Sequence, residues 1–240
     1  QQVWQALCTD YTREALSLSY LIDKDDLCDA TRANYKSLIK EEKLSGGTLD
    51  QLRLIRTAVG HPLNADFLSE ILFELSVVER DLSWTEYNRR HHGDRIDAIE
   101  DLVLKLKKGY RGNPEADRLR MVSISWLLTS TVIDLRNFAT EALFLYGLNA
   151  PENLFAIAKG MLSVNDPYIL ERLLAASYSV AVTLLAKGDV QYCIRDFAHF
   201  IYEAMFIEGA EAATTHLFSR DYASSFLQAV VALAPELSGE

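Results

Sequence analysis

Residues 135–139 read LRNFA, and residues 194–198 repeat this phrase as IRDFA. Both copies lie in stretches that are rich in Ala and aromatic residues and have the apolar spacing of helices. On either side of them, no run of alternating polar and apolar residues is bounded by hairpin turns. A near-repeat in a chain without strand patterns predicts stacked helical pairs, because one pair cannot bury its apolar face alone.

Short loop signals divide the rest of the chain into pieces of helix length. Clusters of Gly, Pro and Asn separate stretches of roughly 12–20 residues, which are ordinary helix lengths. The apolar run at 173–186 is too short to span a bilayer, so it predicts a buried core helix. In the second half, the predicted helices are at residues 118–128, 132–146, 153–162, 167–186, 189–207 and 210–233, the last of them broken near Asp221.

Start and end signals support this division. Ser76 and Glu79 have the spacing of a capping box, in which each side chain satisfies a backbone N–H of the other. Asn113 and Asp166 each precede a Pro, the order that favours a helix start. Gly109 is expected to end a helix. That helix carries an apolar stripe formed by Ile96, Ile99, Leu102, Val103 and Leu106.

The second half is similar to HEAT-type helical pairs, in which a short loop leads into an inner helix with an Arg and then small residues. Here residues 130–134 lead into Leu135 and Arg136, and we expect Arg136 to pair with carboxylates of a neighbouring repeat. We therefore predict an all-α, HEAT-like α-solenoid of antiparallel helical pairs with irregular repeats over residues 61–240. Residues 1–60 repeat poorly and are expected to form an N-terminal helical segment that packs on the repeats.

Composition indicates a folded protein that binds neither nucleic acid nor membrane. The 240 residues are 49% hydrophobic and 24% charged, which argues against disorder. The net charge of -10 disfavours nucleic acid and anionic membranes, since both attract a basic surface. The alternative is that the acidity only keeps the protein soluble.

The three cysteines, Cys8, Cys28 and Cys193, are odd in number and form no CxxC pair. This pattern favours buried, reduced thiols in a cytoplasmic protein over a disulfide framework or a zinc site. The N-terminus shows no secretion signal. Because the chain starts without Met and inside apolar sequence, we expect it to be a fragment of a longer polypeptide.

No catalytic, cofactor-binding or metal-ligating residue is predicted, and no cofactor is expected. His91 and His92 beside Asp94 resemble a metal cluster, but adjacent helical residues point in different directions, so a solvated helix end is favoured, with the imidazoles near the terminal carbonyls. His61 is expected to make hydrogen bonds within its loop. No Ser lies in a nucleophile elbow.

Aromatic residues concentrate between residues 192 and 226, more than a terminal helix pair usually needs. One interpretation is core packing and docking onto a continuation of the solenoid. The other is an aromatic-lined groove anchored by Arg195 or Arg220, with His199 as a core or groove histidine. On the second interpretation the partner-binding residues are Tyr192, Arg195, His199, Tyr202 and Arg220.

Four phrases resemble the helical repeats that follow the nucleotide-binding module in large bacterial STAND-type NTPases. They cover part of residues 60–185 and read HPLNADFL at 61–68, VERDLSWT at 78–85, WLLTST at 126–131 and DPYILER at 166–172. The resemblance implies the sensor region of an AVAST-like antiviral protein. In such a protein the repeats grip a phage protein, and the ATPase module then oligomerises and activates an effector.

The chain departs from the full pattern, because it contains no GxxxxGK[ST] phosphate loop. No nucleotide-binding residue is carried over. The expected partners are a protein, under this resemblance a phage protein, and further copies of itself assembled through the parent chain. The alternative function is a free-standing helical scaffold or adaptor for protein–protein interaction. An enzyme is the third class, and a groove with converging carboxylates would favour it.

Overall fold

The computed structural model describes residues 32–33, 35–37, 39, 44–189 and 191–235. Every regular element in these ranges is helical, which confirms the predicted all-α class for this part of the chain. From residue 44 onward, the helices in chain order are α1 (Gly46–Ile55), α2 (Ala65–Glu74), α3 (Val77–Arg80), α4 (Glu86–Arg90), α5 (His92–Lys107), α6 (Pro114–Ser125), α7 (Ile133–Gly147), α8 (Pro151–Met161), α9 (Pro167–Ala186), α10 (Tyr192–Met205) and α11 (Leu217–Leu233). A π-helical turn, Asp81–Thr85, joins α3 to α4, and a 3-10 turn, Trp126–Thr129, continues α6.

Contacts divide the chain into two units, and the division crosses α6. Unit 1 contains the described residues up to His91 together with Gly112–Ser123. Unit 2 contains His92–Arg111 together with the described residues from Ile124 onward. The predicted boundary at residue 60 stays a prediction, because most of residues 1–60 lie outside the described ranges.

The predicted cap signals are confirmed. Ser76 Oγ accepts the backbone N–H of Glu79 at 3.3 Å, and Glu79 Oε2 accepts that of Ser76 at 3.0 Å, which completes the capping box. Asn113 Oδ1 accepts two backbone N–H groups at the start of α6, at 3.0 and 3.1 Å. Asp166 Oδ1 does the same for α9, at 3.0 and 3.3 Å. Gly109, with φ 79°, follows the end of α5.

An arginine fork joins α6 to α2 within unit 1. Nη1 and Nη2 of Arg118 donate to the two carboxylate oxygens of Asp66, at 3.0 and 2.6 Å. Nε of the same side chain donates to Glu115 at 2.9 Å. Because a bidentate pair constrains orientation as well as distance, this fork restrains α6 relative to Asp66 near the start of α2. The buried side chains of α2 include Phe67, Leu68, Ile71 and Leu72, which recur at the spacing of one helix face.

The helices of unit 2 contact one another in an alternating order. α5 contacts α7, α7 contacts α9, and α9 contacts α11, so each of these contacts skips one helix of the chain. α8 likewise contacts α10, and it also packs on α7 and α9. α10 packs on α11 as well.

α9 is the most apolar helix of unit 2, and its bounds agree with the prediction. It is the one helix in the described ranges that is long and apolar enough to cross a membrane, with a mean hydropathy of 1.5. However, 56% of that stretch is buried inside the protein, where α9 contacts α7, α8 and α11. Burial among three helices accounts for the apolar sequence, as expected of a core helix.

The prediction for the last helix was wrong in two respects. α11 begins at Leu217 instead of at residue 210, and it continues through Asp221 without a break. The segment before it is not helical, because Gly209 has φ 77° and His216 caps the helix by accepting the backbone N–H of Ser219. Asp221 is exposed and is neither Gly nor Pro, so nothing in the backbone interrupts the helix there.

The two copies of the repeated phrase occupy different settings. Leu135 and Ile194 are both fully buried, so each copy does mark the buried face of a helix. The first copy lies on α7, which packs on α5, α8 and α9, whereas the second lies on α10, which packs on α8 and α11. The repeated phrase therefore indicates only that each helix has one apolar face. It does not mark equivalent positions in successive helical pairs.

The predicted pairing of Arg136 with carboxylates was also wrong. Arg136 is 8% exposed, and its Nη1 donates to the backbone carbonyl of Ser130. Its guanidinium carbon lies 4.4 Å from the centre of the Tyr168 ring. Within the described ranges no carboxylate forms an ion pair with it. Since Ser130 follows the 3-10 turn, Arg136 neutralises the carbonyl end of that turn instead.

Candidate functional site

α10 has one buried and one exposed face. Ile194, Phe197, Ala198, Ile201 and Met205 are buried. The other face carries the four predicted partner-binding residues of this helix, which are spaced three or four positions apart: Tyr192, Arg195, His199 and Tyr202. Since such intervals place residues on one side of a helix, four of the five predicted partner-binding residues share one surface.

The two tyrosines are the most prominent side chains of this surface. Tyr192 is 73% exposed and Tyr202 is 54% exposed. The guanidinium carbon of Arg195 lies 5.2 Å from the centre of the Tyr192 ring, and its Nη2 donates to Asp196 Oδ1 at 3.2 Å. The ring and the carboxylate together hold Arg195 near one orientation, which lowers the entropy it would lose on binding.

Arg220 reaches the end of the same surface from α11. Its guanidinium carbon lies 5.9 Å from the centre of the Phe206 ring. Phe206 follows Tyr202 by one helical turn, and its backbone N–H donates to the Tyr202 carbonyl at 3.0 Å. Four of the five predicted residues thus lie along one side of α10, and the fifth, Arg220, lies against Phe206, one turn beyond Tyr202. Their role in binding stays a prediction. We call this set the recognition face: Tyr192, Arg195, His199, Tyr202 and Arg220.

Of the two positions expected for His199, core or groove, the core position is wrong, and the groove position stays a prediction. His199 is exposed, although Phe197 and Ile201 beside it in sequence are buried. The neighbours in sequence misled because residues two positions apart on a helix lie about 200° apart around its axis.

The aromatic concentration between residues 192 and 226 divides between the core and the surface. Phe197 stacks on Phe155 of α8, with ring centres 4.7 Å apart and planes 8° apart. Phe226 meets both rings edge-on, at 5.9 and 5.3 Å. Core packing therefore accounts for the buried rings, while the exposed rings remain available to a partner. Sequence reasoning missed Phe155, because nothing in its local pattern shows which distant helix it packs against.

The exposed apolar residues at the start of α11 were not predicted as part of a site. Leu217 is 72% exposed and Phe218 is 57% exposed. Both directly follow the cap residue His216. Recognition of the Thr-Thr-His cap in residues 214–216 would have placed them at a helix start, where side chains of the first turn are often exposed.

Two histidines outside the recognition face, His61 and His91, make local hydrogen bonds. His61 Nδ1 accepts the backbone N–H of Leu63 at 3.1 Å, as expected of a loop histidine. His91 Nδ1 lies 2.8 Å from the carbonyl oxygen of Tyr87, so the predicted contact with a terminal carbonyl is confirmed for His91. Within the described part of the chain, no three His, Cys, Asp or Glu side chains are placed to hold a metal ion.

Ser219, His216 and Glu171 form a row that resembles the order of a hydrolase triad. Ser219 Oγ lies 2.9 Å from His216 Nδ1, and His216 Nε2 lies 3.8 Å from Glu171 Oε2. Ser219 is fully buried, so its hydroxyl faces no solvent from which a substrate could approach. The same His216 nitrogen also caps α11. This arrangement indicates a structural contact between α9 and α11.

Cys193 lies on α10 beside the recognition face and is half buried. Burial, with a smaller contribution from the carboxylate of Glu152, raises the pKa of its thiol to about 11. The thiol also donates to Gln191 Oε1 at 3.6 Å. Cys8 and Cys28 lie outside the described ranges.

We expect Cys193 of the folded protein to react with iodoacetamide at pH 7.5 about a hundredfold more slowly than free cysteine, because only the thiolate reacts. The rate should still rise about tenfold for each pH unit between 8 and 10, below the raised pKa. Peptide-resolved mass spectrometry measures alkylation of Cys193 separately from the other cysteines. The same peptide in urea is the control, and equal rates in the folded and unfolded protein would contradict the shift.

Comparison with known proteins adds no relative to this description. No family model matches the chain, and neither a curated protein nor a solved structure matches it.

Proposed function

We propose that this chain is a non-enzymatic helical-repeat module that binds a protein partner through the recognition face. The observation that carries the proposal is the division of α10, whose apolar face is buried while the other presents two largely exposed tyrosines. Tyr and Arg are the residues that most often dominate the binding energy of protein interfaces. Arg195 lies against the Tyr192 ring, which brings these two residue types side by side, and Arg220 lies against the Phe206 ring.

The proposal includes a HEAT-like arrangement for unit 2. The alternating contacts support it, because helices of successive antiparallel pairs form two rows in which each helix touches the second one along the chain. On this proposal α5, α7, α9 and α11 form one row, and α8 and α10 form the other. The irregular spacing of the repeats would follow from loops of different length.

The favoured setting is the sensor region of a bacterial STAND NTPase in the cytoplasm, on the resemblance of the four phrases described above. The mechanism would be binding alone. A target with higher affinity for one state of the parent protein shifts it from a resting to an oligomerising form. The second candidate is a free-standing scaffold or adaptor. The same exposed face favours it, because binding a partner through this face needs no parent chain.

Affinity capture tests the proposal. The chain is immobilised and exposed to lysates of phage-infected and uninfected bacteria, and bound proteins are identified by mass spectrometry. The affinity of each retained protein is then measured for the wild type and for Tyr202→Ala. We expect a loss of at least about tenfold, because truncation of a central aromatic anchor commonly costs this much. Tyr110→Ala, which removes a ring that is 41% exposed on another helix end, is the matched control.

The outcomes separate the two candidates. A phage protein that binds only after infection and is lost in Tyr202→Ala supports the sensor. A host protein that is retained from both lysates and lost in the same variant supports the adaptor. Equal affinity of the wild type and Tyr202→Ala for every retained protein would show that the recognition face does not bind.

A further inference from the structure

His216 makes two contacts where α11 begins. Its Nδ1 accepts the backbone N–H of Ser219 at 3.4 Å and lies 2.9 Å from the hydroxyl oxygen of the same residue. On the other side of the ring, Nε2 lies 3.8 Å from Glu171 Oε2 on α9. A ring nitrogen that accepts a backbone N–H carries no proton, so the proton of the neutral ring is on Nε2, facing Glu171.

We propose that His216 is a pH-sensitive helix cap whose protonation releases the first turn of α11. The imidazolium ion carries a proton on both nitrogens and accepts no hydrogen bond, so the cap to Ser219 is lost when the ring is charged. The added positive charge also lies at the helix N-terminus, where the helix dipole repels it. His is the side chain whose ordinary pKa, about 6.5, places this change close to neutral pH.

Charged side chains on α9 and α11 surround His216, and their effects on its protonation partly cancel. Glu171 favours the charged ring, but their atoms are 3.8 Å apart and Arg172 Nε lies closer to that carboxylate, at 3.3 Å. On α11 itself, Arg220 and Asp221 are exposed and of opposite sign. A long, partly exposed ion pair contributes little. The contact between Nδ1 and Ser219 Oγ can reverse its direction in the charged ring, because a hydroxyl both donates and accepts, so the backbone N–H of Ser219 is the group that loses its partner.

Burial makes the loss of this cap consequential. Ser219 is fully buried, so water does not replace the lost acceptor while the turn stays closed. The buried N–H is satisfied again only if the turn opens. Protonation of His216 therefore favours opening of the first turn of α11, which contains the exposed Leu217 and Phe218. This inference does not depend on the proposed recognition function.

Hydrogen exchange followed by NMR tests the proposal on the full chain. Protection factors for the amide of Ser219 are measured from pH 8.0 down to 5.8, above the pI of about 5.0, where the protein keeps a net charge. We expect protection to fall about fivefold, the size of an ordinary N-cap contribution. The midpoint should match the titration of the His216 ring signals, and the exposed His199 provides a reference titration in the same spectra.

The variant His216→Asn is the matched control. Asn caps helices as well as any residue and does not titrate, so its Ser219 amide should keep the same protection at both pH values. The proposal is overturned if this variant shows the same pH-dependent loss as the wild type. It is also overturned if the wild-type amide keeps its protection after the His216 ring has titrated.

Discussion

Replacing Phe197 by Ala is expected to lower the free energy of unfolding by about 3–5 kcal/mol, the largest effect of any single substitution considered. Phe197 is fully buried, stacks on Phe155 at 4.7 Å and meets Phe226 edge-on at 5.3 Å. Truncation removes buried apolar area and the contacts with both of these rings, and it leaves a cavity among α8, α10 and α11.

Urea unfolding measures this effect, with thermal unfolding as a second reading. For a chain of this size each kcal/mol corresponds to about 2–4 °C in Tm, so we expect a decrease of roughly 10 °C. Phe218→Ala is the matched control, because it deletes the same ring from a side chain that is 57% exposed. It should change the stability by about 0.5 kcal/mol or less. Equal losses in the two variants would show that Phe197 is not at the centre of this core.

Replacing Gly147 by Ala is expected to destabilise the protein by about 1–3 kcal/mol through overpacking. Gly147 is the buried last residue of α7, and a Cβ built there would lie 2.4 Å from Leu154 Cδ2 and 2.7 Å from Val180 Cγ2. Leu154 and Val180 are themselves fully buried, and the β-branched Val cannot rotate away freely. The close approach of α7 to α8 and α9 therefore requires the absence of a side chain.

Gly160→Ala is the control for this substitution. Gly160 is also near the end of a helix, α8, but a Cβ there would meet nothing within 4 Å. Because Ala favours the helix over Gly, this variant should gain up to about 1 kcal/mol. Chemical denaturation of both variants compares the two effects directly. If Gly147→Ala proved as stable as Gly160→Ala, the contact between these helices would have to be looser than described.

Local signals in the sequence predicted the elements of the fold well. The cap residues Ser76, Asn113 and Asp166 predicted helix starts, because a cap depends only on residues within one turn. The bounds of α9 followed from Asp166-Pro167 and a long apolar run. The start of α11 was missed because its cap is His216, a residue that rarely takes this position.

The recognition face was predictable only in part. The spacing of Tyr192, Arg195, His199 and Tyr202 places them on one side of a helix in any helical fold. Their exposure depended on which side of α10 packs on α8 and α11, and the sequence pattern alone also allowed His199 to be buried. Arg220 joins them through Phe206, a contact between residues on different elements.

The sequence by itself determined that the described part of the chain is helical, roughly where its helices lie, and which face of each is apolar, because these properties arise within a few neighbouring residues. Tertiary structure decided which neighbour each face meets. It placed the two copies of the repeated phrase in different surroundings, buried Arg136 under Tyr168 and left Arg195 at the surface. These outcomes depend on contacts between distant residues, which a local pattern does not encode.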